Sequence, residues 1–266
     1  MMVGLVALRL PWREHSGRHP PGAAMKTLFD LNAALDRKAL AARFAATGRV
    51  QVRDVLTDES ARELLAVLAR GTPWGMAVGA GDGKPRSFRA AETRTPQGQE
   101  ELSQAARRAE EHSARGDYGF RFAHYPILTA LQEGWNPGSP HEILLEHLNA
   151  PAFMDLARVV TGIDLVKADG QATLFGPTHY LGRHIDSHVA ERWEVAYVLN
   201  LARDDWHPDW GGYLLFLDDE GDVVEGFKPR FNALNLFRVP QSHLVSYVPP
   251  FAPMGRLAVT GWLRSK

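Results

Sequence analysis

The sequence predicts a mainly β fold with a helical N-terminal layer, on three observations. Helical periodicity dominates the segment after Asn32, and from about Leu165 the chain breaks into short alternating runs between turn residues. No fixed-length repeat or interdomain linker interrupts it. Many short strands at modest spacing fit a jelly-roll or barrel better than a parallel sheet with crossover helices. With 266 residues, 45% of them apolar and 23% charged, the chain can bury a sizeable core. The expected division is a disordered extension over residues 1–24 and a single domain over 25–266. Within that domain the helical part covers about 25–164 and the jelly-roll core about 165–266.

In chain order, the apolar run from Val3 to Leu10 is too short to span a bilayer and lacks a preceding basic region, so it reads as neither anchor nor secretory signal. Leu35, Leu40, Ala41 and Phe44 form one helical stripe, and Leu64, Leu65, Val67 and Leu68 close a second. Thr57 to Ser60 offers capping side chains to the second helix, and Gly48 to Val52 between the two alternates like a strand. Gly71 to Gln97, rich in Gly and Pro, reads as a long loop with little internal structure. Its arginines Arg86, Arg89 and Arg94 make it a candidate substrate lid. A polar helix over Glu100 to Ala114, an aromatic strand over Tyr118 to Phe122 and helices over Glu142 to Leu148 and Phe153 to Val160 complete the first half. Strands are then expected at Thr173–Phe175, Trp193–Leu199, Tyr213–Leu217, Ala233–Phe237, Leu244–Val248 and Arg256–Trp262.

Thirty basic against thirty-one acidic residues leave a formal charge of −1. No overall field therefore draws the chain to nucleic acid or to a membrane surface, and neither partner is expected. Without cysteine there is no disulfide, thiolate metal site or cysteine nucleophile, which leaves His, Asp and Glu as metal ligands. Cytoplasm is the simplest location consistent with this composition.

His184-Ile185-Asp186 sets an imidazole and a carboxylate two residues apart, which on an extended segment share a face. His243, on the edge of a later β-like run, supplies a second imidazole. Two histidines and one carboxylate with open remaining positions suit non-haem iron(II) that must also bind a chelating cosubstrate and dioxygen. Arg256 opens a strand in which Arg256, Ala258, Thr260 and Trp262 share one face, while Leu257, Val259 and Leu263 share the other, a plain core face. A guanidinium on the mixed face needs an anion, and its planar fork fits a carboxylate such as the C5 group of 2-oxoglutarate.

From Tyr180 to Arg264 the chain resembles the catalytic core of iron(II)/2-oxoglutarate oxygenases of the prolyl 4-hydroxylase-like group. The resemblance rests on His184-Ile185-Asp186, Arg192, Tyr197 to Asn200, Trp206, Trp210 to Leu214, Pro229 to Asn232, Phe237, Ser242-His243 and Arg256 to Trp262. The step of thirteen residues from His243 to Arg256 matches the family spacing between distal histidine and cosubstrate arginine. It implies a double-stranded β-helix (jelly-roll, cupin-like), with iron(II) on His184, Asp186 and His243, and 2-oxoglutarate and dioxygen as cosubstrates. It places Arg256, Thr260 and Trp262 around the cosubstrate. Related enzymes often carry a tyrosine where Val198 stands; Tyr197, one place earlier, reaches the cosubstrate only across a bulge and is otherwise a core residue. Arg192 and His188 are candidate substrate contacts.

The activity implied is hydroxylation of an unactivated carbon, a prolyl residue in a peptide or protein, with release of succinate and carbon dioxide. A free amino acid or small metabolite is the alternative substrate, and a jelly-roll binding module without catalysis the alternative class. A zinc hydrolase reading of His184 and His188, four residues apart, fails because Gly176, Pro177 and Gly182 argue against a helix there. The acidic run Asp218 to Asp222 reads as a solvated hairpin turn rather than a calcium loop.

Overall fold

The computed structural model describes residues 28–81, 83–186 and 192–266. The expected N-terminal extension and His188 lie outside them. The first half runs α1 (Arg37–Thr47), β1 (Arg49–Arg53), α2 (Asp58–Ala66), β2 (Gly75–Ala80), β3 (Arg86–Phe88), α3 (Pro96–Ala114), β4 (Gly119–Tyr125), α4 (Ile127–Gln132), α5 (Pro140–Asn149) and α6 (Pro151–Thr161). Among the described residues, nine strands follow: β5 (Leu165–Ala168), β6 (Gln171–Phe175), β7 (Tyr180–Ile185), β8 (Trp193–Asn200), β9 (Leu214–Leu217), β10 (Val223–Phe227), β11 (Ala233–Arg238), β12 (Ser242–Val245) and β13 (Arg256–Ser265).

The strands form one antiparallel sheet along the path β1-β11-β8-β13-β6-β4-β7-β12-β9-β10, with β2 and β3 continuing from β4 and β5 beside β13. This sheet curls into a nearly closed barrel, the jelly-roll expected. Side chains join the two ends of the path: Arg49 on β1 donates to Glu225 on β10 at 2.6 Å and to Gln241 at 2.8 Å. Among the described residues, no helix is long and apolar enough to cross a membrane.

Strand alternation decides what faces the barrel interior. On β8, Val195, Tyr197 and Leu199 join a buried cluster with Leu144, Leu148, Phe153 and Leu156 of α5 and α6. On β13, Leu257, Val259 and Leu263 turn to that same helical layer, which leaves Arg256, Thr260 and Trp262 to line the interior, as their shared face predicts. The amphipathic α6 buries Phe153, Leu156, Ala157 and Val160 at helical spacing. It stops at Gly162, whose left-handed φ of 71° lets its N–H return to Arg158 O. Each large side chain fully buried here contributes about 1.5–3 kcal/mol.

Two expectations need correction. The N-terminal half contributes β2 and β3 to the sheet besides the expected β1 and β4, and α4, β5 and β10 were not foreseen. Nor is the segment 71–97 an unstructured loop: it holds β2, β3 and a short 3-10 turn over Glu92–Arg94. The Gly, Ala and Met of β2 have little intrinsic strand preference. Pairing with β4 and packing of Val78 and Phe88 on Ala105 and Ala109 of α3 make it a strand. Gly79 is required there, because a Cβ would lie 2.2 Å from the Phe120 ring.

Candidate active site

β7 ends at His184-Ile185 and delivers Asp186 just past the strand, while β12 pairs His243 directly with His184. The ligand-capable atoms of His184, Asp186 and His243 all lie within 4.8 Å of one another. Each imidazole donates its Nδ1–H to a carbonyl two residues back, Gly182 O for His184 and Gln241 O for His243, both at 2.9 Å. A carbonyl can only accept, so these bonds fix the tautomer and leave both Nε2 lone pairs available. Those two Nε2 atoms each stand 3.6 Å from an Asp186 carboxylate oxygen. Burial, with the neighbouring His184, pushes His243 down to about 4, so it is the neutral imidazole that a divalent metal requires. This donor set, preoriented and convergent, fits iron(II).

A cavity of about 200 Å³ runs from these three residues to Arg256. Arg256 is 2% exposed. Its guanidinium donates to Asn200 Oδ1 at 3.0 Å and lies 4.6 Å from the centre of the Phe175 ring. Its Nε has no partner, and among the described residues no ion pair includes it. Burial pushes the guanidinium down to about 9, so it stays charged at neutral pH without a counter-anion. Gly212 passes beside it with a left-handed φ of 70°, a backbone conformation that favours glycine.

Thr260 and Trp262 line the same cavity, and Trp262 stacks on Trp193 with ring centres 4.0 Å apart. Tyr197 does not place its hydroxyl there. Fully buried on the helical side of β8, it donates to Asp169 O at 2.7 Å and packs edge-on to Phe153. No bulge interrupts β8 at this point: its pairing with β11 runs in continuous register. Arg192 is exposed in a left-handed turn with φ 51°, its carbonyl accepting from Ser265 N–H, and is not part of the cavity wall. The segment expected to form a lid pairs Arg86 with Glu101 and Arg89 with Glu133, away from the triad.

Asn200 and Gln171 were not singled out from sequence. Alternation along β6 puts Gln171, Thr173 and Phe175 on one face, and that period was the available signal for Gln171 and Phe175. Asn200 is visible only once β13 is paired to β8 with Ala258 opposite it.

The fold and the His-Asp-His group are those that a non-haem iron site requires. Residues 170–264, which carry all three triad members and Arg256, match the family model described as the 2OG-Fe(II) oxygenase superfamily. Proteins of that superfamily use iron(II), 2-oxoglutarate and dioxygen. A prolyl-4-hydroxylase of Pseudomonas putida is similar in fold, with a TM-score of 0.54 and 19% identity over 86% of this chain and 99% of that one. So is a prolyl hydroxylase of Trichoplax adhaerens in complex with a hypoxia inducible factor oxygen degradation domain peptide fragment. It has a TM-score of 0.55 and 15% identity, over 86% of this chain and 89% of that one. A non-heme alpha ketoglutarate dependent epimerase from nogalamycin biosynthesis matches with a TM-score of 0.52 and 15% identity, over 86% of this chain and 82% of that one. Curated proteins give no match.

Proposed function

We propose that this dioxygenase hydroxylates a prolyl residue in a peptide or protein, with His184, Asp186 and His243 holding iron(II) and Arg256 binding the far carboxylate of 2-oxoglutarate. The observation that carries the reading is the pairing, in one small cavity, of a preoriented His-Asp-His set with a buried guanidinium lacking an anion. When bound, the metal with its cosubstrates supplies the oxidation: one oxygen atom of dioxygen goes to succinate, with loss of carbon dioxide, and the other to the substrate carbon. The chain's part is orientation. Asn200 and Phe175 hold the guanidinium in place, so the keto-acid end of a bound 2-oxoglutarate is directed toward the triad. Thr260 and Trp262 flank that path, and the apolar wall of Phe120, Phe122 and Phe237 excludes water from it.

The prolyl target is supported by the two similar prolyl hydroxylases. A second reading, the same chemistry on a small metabolite, draws on the similar epimerase. The test incubates iron-loaded protein with 2-oxoglutarate and a peptide library, and follows succinate release and a gain of one oxygen by mass spectrometry. Oxygen gain on prolyl peptides is expected, and His184→Ala should abolish both signals. Activity persisting in that variant sinks the metal assignment; iron bound without succinate formation sinks catalysis in favour of a binding module.

A further inference from the structure

A second group of chemically capable side chains lies apart from the triad, where β2 runs between β3 and β4. Alternation on the edge strand β3 buries Phe88 against Ala105 and Ala109 of α3 and turns Ser87 the other way, exposed. On β4, His124 shares a face with Phe120 and Phe122 and is 7% exposed. Its partner on β2 is Gly75, so no β2 side chain stands between the imidazole and β3. Ser87 Oγ and His124 Nε2 are 2.8 Å apart. At the other side of the ring, Nδ1 faces Gln171 Oε1 at 3.4 Å.

The roles of these three follow from their donors. An amide oxygen only accepts, so the His124 proton sits on Nδ1, and the Nε2 lone pair takes the Ser87 O–H. Burial holds His124 below its ordinary 6.5, so the imidazole is a neutral base at neutral pH. Hydroxyl, imidazole and orienting carbonyl thus stand in the order that activates a serine for attack on an acyl carbon. Gln171 brings no negative charge: it fixes the ring without stabilising an imidazolium, which suits the group to activated esters. In front of Ser87 opens a cleft of about 390 Å³, within the roughly 300–1,000 Å³ of small-molecule sites. Pro73, Ala90, Ala91 and Pro126 give it apolar walls. Asn136 lines it too, and its side-chain amide, which makes no hydrogen bond among the described residues, is a donor for a developing oxyanion.

We propose that Ser87, His124 and Gln171 form a second, metal-independent site that hydrolyses small neutral carboxylic esters. Ser87 Oγ bonds to the ester carbonyl carbon while its proton passes to His124 Nε2. Collapse breaks the bond to the leaving alcohol, which takes that proton, and the acyl group stays on Ser87. Water then adds to the acyl carbon and gives a proton to Nε2. The carboxylic acid departs as Ser87 Oγ recovers the proton.

The test uses protein stripped of metal by a chelator and given no 2-oxoglutarate, so oxygenase chemistry is silent. p-Nitrophenyl acetate is the substrate, and a fluorophosphonate, located by peptide mass spectrometry, is the covalent probe. Ser87 should carry the label. Ser87→Ala should lose it together with at least about a hundredfold of the ester rate, the scale of a positioned general base. His124→Gln should lose as much, with thermal melts checking that both variants fold. Because Ser87 is exposed, Ser87→Ala keeps the test open if the buried His124 does not tolerate replacement. No label on Ser87, or an ester rate unchanged in Ser87→Ala, overturns the proposal, as does labelling that a folded His124→Gln retains. Release of one equivalent of nitrophenol without further turnover overturns hydrolysis.

Discussion

Arg256 meets Asn200 at 3.0 Å at the closed end of the cavity, so a buried cation is answered by a neutral amide oxygen and not by a carboxylate. Its folded value of about 9 lies below the ordinary 12.5, so between these values the unfolded chain binds more protons and stability rises with pH. An anion supplied by a ligand offsets this cost of burial by favouring the charged form. Saturating 2-oxoglutarate, at about a hundred times its Kd, should add about 2.7 kcal/mol to the metal-loaded protein. Arg256→Met should lose most of that gain yet melt, without ligand, within about 1 kcal/mol of the parent, because a buried unpaired charge is costly to keep. A full ligand-induced gain in Arg256→Met would remove Arg256 from the cosubstrate site.

Tyr197 donates its hydroxyl to Asp169 O inside the helical layer, and the carboxylate of Asp169 accepts from Trp262 N–H at 2.8 Å and Arg264 at 2.8 Å. Tyr197→Phe should therefore cost about 1–2 kcal/mol, the range for leaving a buried carbonyl short of a donor. Affinity for 2-oxoglutarate should not change. A loss of affinity of tenfold or more, measured by calorimetry, would return Tyr197 to the cosubstrate site.

Tyr197 also marks how far the sequence reveals the site. The triad and Arg256 were legible because ligands on strands obey a period of two, and the apolar Leu257, Val259 and Leu263 show which face of β13 is core. The same period places Tyr197 opposite Val198, so continuous register alone moves its hydroxyl to the helical side. By contrast, the Gly, Ala and Ser residues of β2 and β3 form strands only through pairing with β4 and packing on α3. Asn200 likewise gains its meaning from a partner 56 positions away. Local pattern encodes faces; it does not encode which faces meet.

His141 is 1% exposed, its ring 4.8 Å from that of Tyr125, with Nε2 2.9 Å from Thr72 Oγ1 and a buried Nδ1 that has no partner. Burial pushes it down to about 4, and burial does the same to His179, pinned by Leu174 O at 3.1 Å. Both folded values lie below the ordinary 6.5, so the unfolded chain takes up protons first as pH falls. Stability should be full above about 6.5, fall between there and about 4, and level off below. Across that window each histidine takes away about 1.4 kcal/mol for every pH step of one. Urea unfolding at pH 7.5 and 5 should show the loss, and His141→Gln should show less of it. An equal loss in that variant would clear His141 of any part in acid sensitivity.

The barrel is closed by side chains where its backbone is not. Glu225 on β10 takes Arg49 of β1 at 2.6 Å and Arg43 at 3.2 Å, and Arg49 also lies 4.8 Å over Phe216, which packs beside Phe237 against His243. Arg49 and Glu225 are 17% and 23% exposed, against 56% for Arg43, so only the first pair is substantially removed from water. Glu225→Gln should cost about 1–2 kcal/mol, because it leaves the Arg49 cation short of its anion in a poorly solvated place. Arg43→Ala should cost less than about 0.5 kcal/mol, the usual scale for an exposed pair. Opening the seam also exposes the free edges of β1 and β10, so the Gln variant should aggregate earlier on heating. Light scattering during a thermal melt checks this. If Glu225→Gln melts and aggregates no earlier than Arg43→Ala, the pair does not close the barrel.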